Sequence, residues 1–239
     1  MKAIIIGATS GMGRELAKQM SAEGAIIGAT GRRSELLRSL QKELPNTSFI
    51  KEMDLDDPIK STETLKALLS EMGKVDLVVI SSGIGTVDRK FLLEDELATV
   101  SVNVSGFTAM ANTAYHYFAD QGCGHIVGIS SVAAVRGGPF SSYNASKAYV
   151  SSFLEGLSCR AKLQNKNIDV TDIRPGFVDT EMAKGVSPSM CAPVEKAVRQ
   201  ILKAIKKKRR VVYVTKRWRV IAAILLLLPF SLYKKLISK

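Results

Sequence analysis

The chain has 239 residues, 46% hydrophobic and 23% charged, enough for one large domain with a substantial core and too mixed in composition for disorder. Its net charge of +12 is confined to one end: residues 196–239 carry 14 Lys and Arg and no acid, whereas residues 1–195 carry 20 Lys and Arg against 22 Asp and Glu. With no basic face over the body and no stacking aromatics, nucleic-acid binding is excluded. Three scattered cysteines (Cys123, Cys159, Cys191) and two isolated histidines (His116, His125) form no disulfide framework or metal site, and they suit a reducing, cytoplasmic setting.

The opening run Met1–Ile6 is too short for a signal peptide and leads straight into a glycine-rich turn. Apolar runs at Ile4–Ile6, Ala25–Ala29, Ser48–Met53, Leu77–Ile80, His125–Ile129, Asp169–Ile173 and Val211–Val214 predict strands. Most are near-continuous in Ile, Val and Leu, as expected when helices cover both faces of a parallel sheet. Helical patterns occupy residues 12–22, 34–43, 59–72, 95–119, 142–164 and 193–207 between them. The alternation predicts an α/β fold: a three-layer, doubly wound parallel sheet over residues 1–215, followed by a C-terminal helical extension over residues 216–239.

After the first strand comes Gly7-Ala8-Thr9-Ser10-Gly11-Met12-Gly13, a G-x-x-x-G-x-G turn that opens a helix. Glycines let such a turn approach a pyrophosphate, which the positive end of the helix then holds. The second strand ends in Gly31-Arg32-Arg33, where an NAD site usually places an acid for the ribose 2′-hydroxyl. Two guanidinium groups favour a 2′-phosphate instead, so NADP(H) is expected over NAD(H), with Arg32 the first candidate and Arg33 the second. Asp54-Leu55 after the third strand is placed to meet the adenine, and Ser82-Gly83 after the fourth to pass the adenosine ribose.

The fifth strand ends in Ser130-Ser131, and Tyr143 and Lys147 lie one turn apart on the next long helix. A phenol has an ordinary pKa of about 10, and a neighbouring ammonium favours its ionised form. A serine hydroxyl nearby can bond a substrate carbonyl oxygen, where charge develops during hydride transfer. Consecutive residues of a strand face opposite ways, so only one of Ser130 and Ser131 can serve.

Together these motifs resemble the short-chain dehydrogenase/reductase family over residues 1 to about 215. The resemblance rests on the glycine turn, Asn103 within Val102-Asn103-Val104, Ser130-Ser131, Tyr143-x-x-x-Lys147 and Pro175-Gly176-Phe177-Val178-Asp179-Thr180. It implies a Rossmann fold and a catalytic tetrad of Asn103, Ser131, Tyr143 and Lys147. Tyr143 would be the general acid in reduction and the base in oxidation, with Lys147 holding the nicotinamide ribose and lowering the Tyr143 pKa. Ser131 would polarise the carbonyl, and Asn103 would hold a water that relays protons to Lys147. Pro175, Gly176, Val178 and Thr180 would lie at the nicotinamide end, and a homodimer or homotetramer is implied. The chain departs from the family in two places. Ser82-Gly83-Ile84 stands where Asn-Ala-Gly is usual, which puts side-chain bracing there in doubt. Counting back from Tyr143 by the commoner family spacing lands on Ser130, whereas the strand-end pattern favours Ser131, with one residue missing around Gly137–Ser142.

The expected activity is reduction of a carbonyl, or oxidation of a secondary alcohol, on a small molecule, apolar or lipid-like if the tail marks a membrane surface. A 3-oxoacyl thioester reductase shares this chemistry. A non-catalytic NADP(H) sensor could dispense with the tyrosine–lysine pair. Met182–Ala192 is expected to line the substrate pocket. The tail has basic clusters at residues 206–210 and 216–219 and an eleven-residue apolar run, Val220–Phe230, too short to span a bilayer. It reads either as a helix packed on a partner subunit or the substrate cleft, or as an anchor lying on the cytoplasmic face of a membrane through residues 206–239. The lack of any acid favours the second.

Overall fold

Strand residues alternate between two cores. Ala3 and Ile5 pack with one hydrophobic cluster, and Ile4 and Ile6 with the other. All four are buried, which is why the run has no polar face. The computed structural model describes residues 1–85 and 91–237; Ser238 and Lys239 of the predicted extension lie outside the described residues. Seven strands form one parallel sheet: β1 (Lys2–Ile6), β2 (Ile26–Gly31), β3 (Ser48–Glu52), β4 (Leu77–Ile80), β5 (Cys123–Ile129), β6 (Asn167–Pro175) and β7 (Val211–Val214). Their order is β3-β2-β1-β4-β5-β6-β7, the doubly wound arrangement predicted.

One face carries helices α1 (Gly11–Ala22), α2 (Ser34–Glu43) and α7 (Val194–Lys206), through side chains such as Leu16, Leu40 and Ile201. The other carries α3 (Pro58–Met72), α5 (Phe107–Gln121) and α6 (Ser141–Leu163), through Leu68, Phe118 and Leu154. Asp57 caps α3 by accepting from the Lys60 backbone N–H at 3.0 Å, and Pro58 takes the first turn, where no N–H is needed.

Two predicted helices differ in detail. The stretch read as one helix over 95–119 is α4 (Leu93–Val100) and α5 joined by a π-helical turn, Ser101–Gly106. Gly106 lets this turn lie on the backbone of Leu55, because a Cβ there would strike the Leu55 carbonyl. The C-terminal extension is two helices, α8 (Arg217–Leu227) and α9 (Phe230–Ile237), broken at Leu228-Pro229.

His125 sits inside β5, its Nε2 2.8 Å from the Thr171 hydroxyl, and burial lowers its pKa from 6.5 to about 4. The unfolded chain therefore takes up this proton first, so stability present above pH 6.5 is lost as pH falls through about 4. The urea midpoint should fall across this window, with this group contributing of order 3 kcal/mol at most. In His125→Gln that component should disappear from the pH profile.

Candidate active site

Parallel strands with the order reversing between β1 and β4 leave a crevice at their C-terminal ends. Here it is a cleft of about 450 Å³, walled by the glycine turn, Arg32, Arg33, Asp54, Ser82 and Thr180, among others. Gly7 (φ +91°) and Gly11 (φ +54°) take left-handed backbone conformations that a side chain would strain. A Cβ on Gly7 would come within 2.6 Å of the Ser82 backbone nitrogen, and one on Gly13 would strike the Gly7 carbonyl. The glycines thus pack β1, α1 and the end of β4 tightly and leave the N-terminus of α1 open to the cleft. A pyrophosphate fits such a cradle.

Gly31 has a steric role beside its lack of charge: a Cβ there would lie 2.6 Å from Thr9 Cγ2, so a side chain at this position would force Thr9 to shift. The two arginines divide. Arg33 crosses the turn and donates to Thr9 Oγ1 at 3.0 Å and Ser10 Oγ at 2.8 Å. Arg32 is exposed on the cleft wall. Asp54 is exposed and accepts from the Asp56 N–H at 3.2 Å, a turn contact, while Leu55 is buried and still lines the cleft. Met12 completes the α1 side.

Period 2 separates the two serines. Ser130 turns into the protein and donates to the Asp172 carboxylate, which also accepts from Ser151 Oγ at 2.9 Å and Arg174 Nε at 2.7 Å. Ser131 turns the other way, toward Tyr143, whose burial-raised pKa its hydroxyl lowers. Ser131 also accepts from the Ala133 N–H at 3.0 Å, which fixes its rotamer. Lys147 is buried one turn beyond, its Nζ 3.1 Å from the Ile129 carbonyl and 5.7 Å from the centre of the Tyr143 ring.

The protonation states differ from the sequence expectation. Burial raises the Tyr143 pKa, and the Ser131 hydrogen bond only partly opposes it, so the phenol is neutral in the protein alone. Burial lowers that of Lys147 from 10.5 to about 8, against the opposing charge of Asp172. Asp172, which sequence reasoning missed, thus helps keep the ammonium charged from between α6 and β6.

Asn103 sits in the π-turn with its amide fully engaged. Its Oδ1 accepts from the Ile84 N–H at 2.8 Å, and its Nδ2 donates to the Ile84 carbonyl at 2.7 Å and to Ser146 Oγ at 3.0 Å. The bracing that the missing family asparagine put in doubt therefore comes from the other side of the cleft. It draws the strand end against the tetrad: a Cβ on Gly83 would meet Lys147 Nζ at 2.9 Å, and one on Gly85 would enter the Tyr143 ring. Neither Ile84 nor Gly85 could be singled out from sequence, because their role depends on what lies opposite.

At the far end, Thr180 packs on Gly11, its Cγ2 3.3 Å from where a Cβ would lie, and Val178 pairs with Ala192 in a single parallel bridge. This bridge closes the 178–192 loop, of which Thr180, Glu181 and Met182 line the cleft. Pro175 ends β6 with its carbonyl near Ser131 Oγ, and Gly176 makes room for the Trp218 indole.

A doubly wound sheet with a glycine cradle at one end of its crevice and Ser131, Tyr143 and Lys147 at the other defines a dinucleotide-dependent oxidoreductase. A family model described as short chain dehydrogenase matches residues 1–191. An uncharacterised oxidoreductase of Myxococcus xanthus is 34% identical over 186 residues, covering 75% of this chain and 73% of its own. The NADP-dependent 3-hydroxy acid dehydrogenase YdfG of Escherichia coli is 30% identical over 184 residues, covering 74% and 73%. Two solved structures share the fold. A Sphingobium yanoikuyae short-chain dehydrogenase in complex with NADPH has a TM-score of 0.78 at 21% identity over 93% of this chain and 92% of that one. A 7β-hydroxysteroid dehydrogenase has a TM-score of 0.84 at 20% identity over 100% and 96%. The chain belongs to the short-chain dehydrogenase/reductase family, oxidoreductases that bind a nicotinamide cofactor and act on small molecules.

Asn103→Ala should leave the half-buried Ile84 peptide without its two partners and cost about 1–3 kcal/mol of stability. Urea unfolding checks the loss, and faster amide exchange at Ile84 than in the wild type checks its origin.

Proposed function

We propose that the protein is an NADP(H)-dependent carbonyl reductase, working in reverse as a secondary-alcohol dehydrogenase. The observation that carries this reading is the packing of buried Lys147 and the Tyr143 ring against Gly83 and Gly85, two residues that line the glycine-rich cleft. NADP(H), when bound, supplies or accepts the hydride at the substrate carbon. The Ser131 hydroxyl donates to the carbonyl oxygen and holds it against Tyr143. The Tyr143 phenol, kept neutral by burial, gives its proton to that oxygen as negative charge builds there. Lys147, with a pKa of about 8, stabilises the phenolate left behind and sits near the range in which a proton can be returned. The engaged Asn103 amide positions Ile84 and the strand end; a water relay at this residue would use its backbone carbonyl.

The preference for NADP(H) over NAD(H) is supported by Gly31, which leaves no carboxylate at the 2′ position, and by Arg33 lying across Thr9 and Ser10, with Arg32 beside it. The NADP dependence of the relative YdfG agrees with it. Met182 is exposed and lines the cleft, which supports an apolar or lipid-like substrate, a 3-oxoacyl thioester included. The exposed strip Leu93, Leu97 and Val100 on α4 supports a homodimer or homotetramer. A sensor without turnover would have no use for a buried lysine behind a neutral tyrosine.

NADPH oxidation against a panel of ketones and 3-oxoacyl thioesters tests the activity. Tyr143→Phe should abolish turnover and leave NADPH binding within about twofold; retained turnover would sink the mechanism. Arg33→Ala should raise the KM for NADPH by about tenfold or more and that for NADH little, the loss expected for a charge-assisted phosphate contact. The kcat/KM for reduction should decline as pH rises through about 8, where Lys147 loses its proton.

A further inference from the structure

Helix α8 is apolar on both sides, which a helix at a water surface is not. Its inner side is used by the protein itself. Trp218 and Ala222 are buried, and Trp218 stacks edge-on against Phe177 at 5.3 Å and fills the space beside Gly176. Arg136 donates to the carbonyls of Leu225 and Leu228 at 2.6 Å each, satisfying the C-terminal end of the helix. Arg136 also lies 4.2 Å above the Tyr233 ring, and the Tyr233 hydroxyl donates to the Gly137 carbonyl at 2.6 Å. These contacts hold α8 and α9 firmly to the loops that follow Ser131 and Pro175. The outer side then shows Val220 (63% exposed), Ile224 (54%), Leu227 (84%), Phe230 (70%) and Leu232 (51%).

The charge around this face has one sign. Lys216, Arg219 and Lys234 are exposed on the same two helices, which contain no acid. The more distant basic cluster is partly answered by the body, with Lys206 paired to Glu23, Lys208 to Asp169 and Arg210 to Glu155. The cationic rim therefore belongs mainly to α8 and α9. Eleven residues of helix rise only about 16 Å, and the run then breaks at Pro229, so neither helix can cross the roughly 30 Å of a bilayer core. Among the described residues no helix is long and apolar enough to span a membrane.

We propose that the outer face of α8 and α9 docks on an anionic lipid surface. Val220, Ile224, Leu227 and Phe230 would enter the headgroup–acyl boundary, with Lys216, Arg219 and Lys234 against the phosphates. A second copy of this chain would bring the same cationic rim against itself, which charge disfavours. The surface does not depend on the reading of the chemistry, since it is defined by contacts outside the tetrad. It does place the substrate-side loops next to the lipid, because α8 is seated on them.

The test is co-sedimentation of the full-length protein with vesicles of phosphatidylcholine alone and of phosphatidylcholine mixed with phosphatidylglycerol, at low and high salt. Binding is expected to the mixed vesicles and to weaken with salt. The combined variant V220S/I224S/L227S/F230S should bind more weakly by more than about tenfold, because four large side chains no longer bury apolar surface. It should keep its melting temperature and NADPH affinity. The charge variant K216E/R219E/K234E provides a second reading if the first does not fold, and should lose binding to the anionic vesicles. The proposal is overturned if the wild type stays in the supernatant with anionic vesicles, or if either folded variant binds as the wild type does. It is likewise overturned if the wild type ignores vesicles and the serine variant instead dissolves an oligomer, which would make this face a subunit contact.

Discussion

The site hangs on one peptide group. Both polar atoms of Ile84 are taken by the Asn103 amide, as a neighbouring strand would take them, and this pulls the chain beyond β4 across the cleft. The third bond of that amide, to Ser146, ties the same point to the helix that carries Tyr143 and Lys147. Three elements distant in sequence are thereby fixed at one position, and the positions of Gly83 and Gly85 follow from it. Each approaches a tetrad side chain so closely that a methyl group would not fit. The π-turn belongs to the same constraint, since it brings Asn103 inward while Gly106 rests on Leu55.

A second layer of polar contacts lies between β6 and α6. Asp172 gathers Ser130, Ser151 and Arg174, and Arg174 reaches the Tyr213 hydroxyl at 3.1 Å. Ser151 stands one turn after Lys147, so the carboxylate and the ammonium share the space between α6 and β6. The lysine is buried without a direct carboxylate partner, and its proton is held weakly enough to be exchangeable. Removing more of the surrounding negative charge would leave it neutral; pairing it directly would hold its proton too firmly.

Much of the fold was legible in the sequence because a parallel sheet covered on both faces writes itself as unbroken apolar runs. The strand Leu77–Ile80 and the helix over 34–43 coincide with their predicted limits for that reason. The π-turn was not legible, since one extra residue in a turn leaves the apolar pattern of Val102, Phe107 and Met110 almost unchanged. At the site, glycines and the Tyr143–Lys147 spacing could be read as local features. The division between Ser130 and Ser131, and between Arg33 and Arg32, depends on which way a side chain leaves the end of a strand. Asp172 and Gly85 act through partners far away in the chain, so no spacing announces them. Summing the charge of the tail also overstated what is available outside, because three of its cations meet acids of the body.

The indole of Trp218 has a consequence of a different kind. It is the single tryptophan of the chain, enclosed against Gly176 and Phe177, and its N–H finds no acceptor among the described residues. Its ultraviolet emission therefore originates from one point, where the loop after Pro175 meets the C-terminal helices. The molecule carries an intrinsic optical reporter at the junction of the loop after Pro175 and the outer helices, and movements of either can be followed in real time without a label.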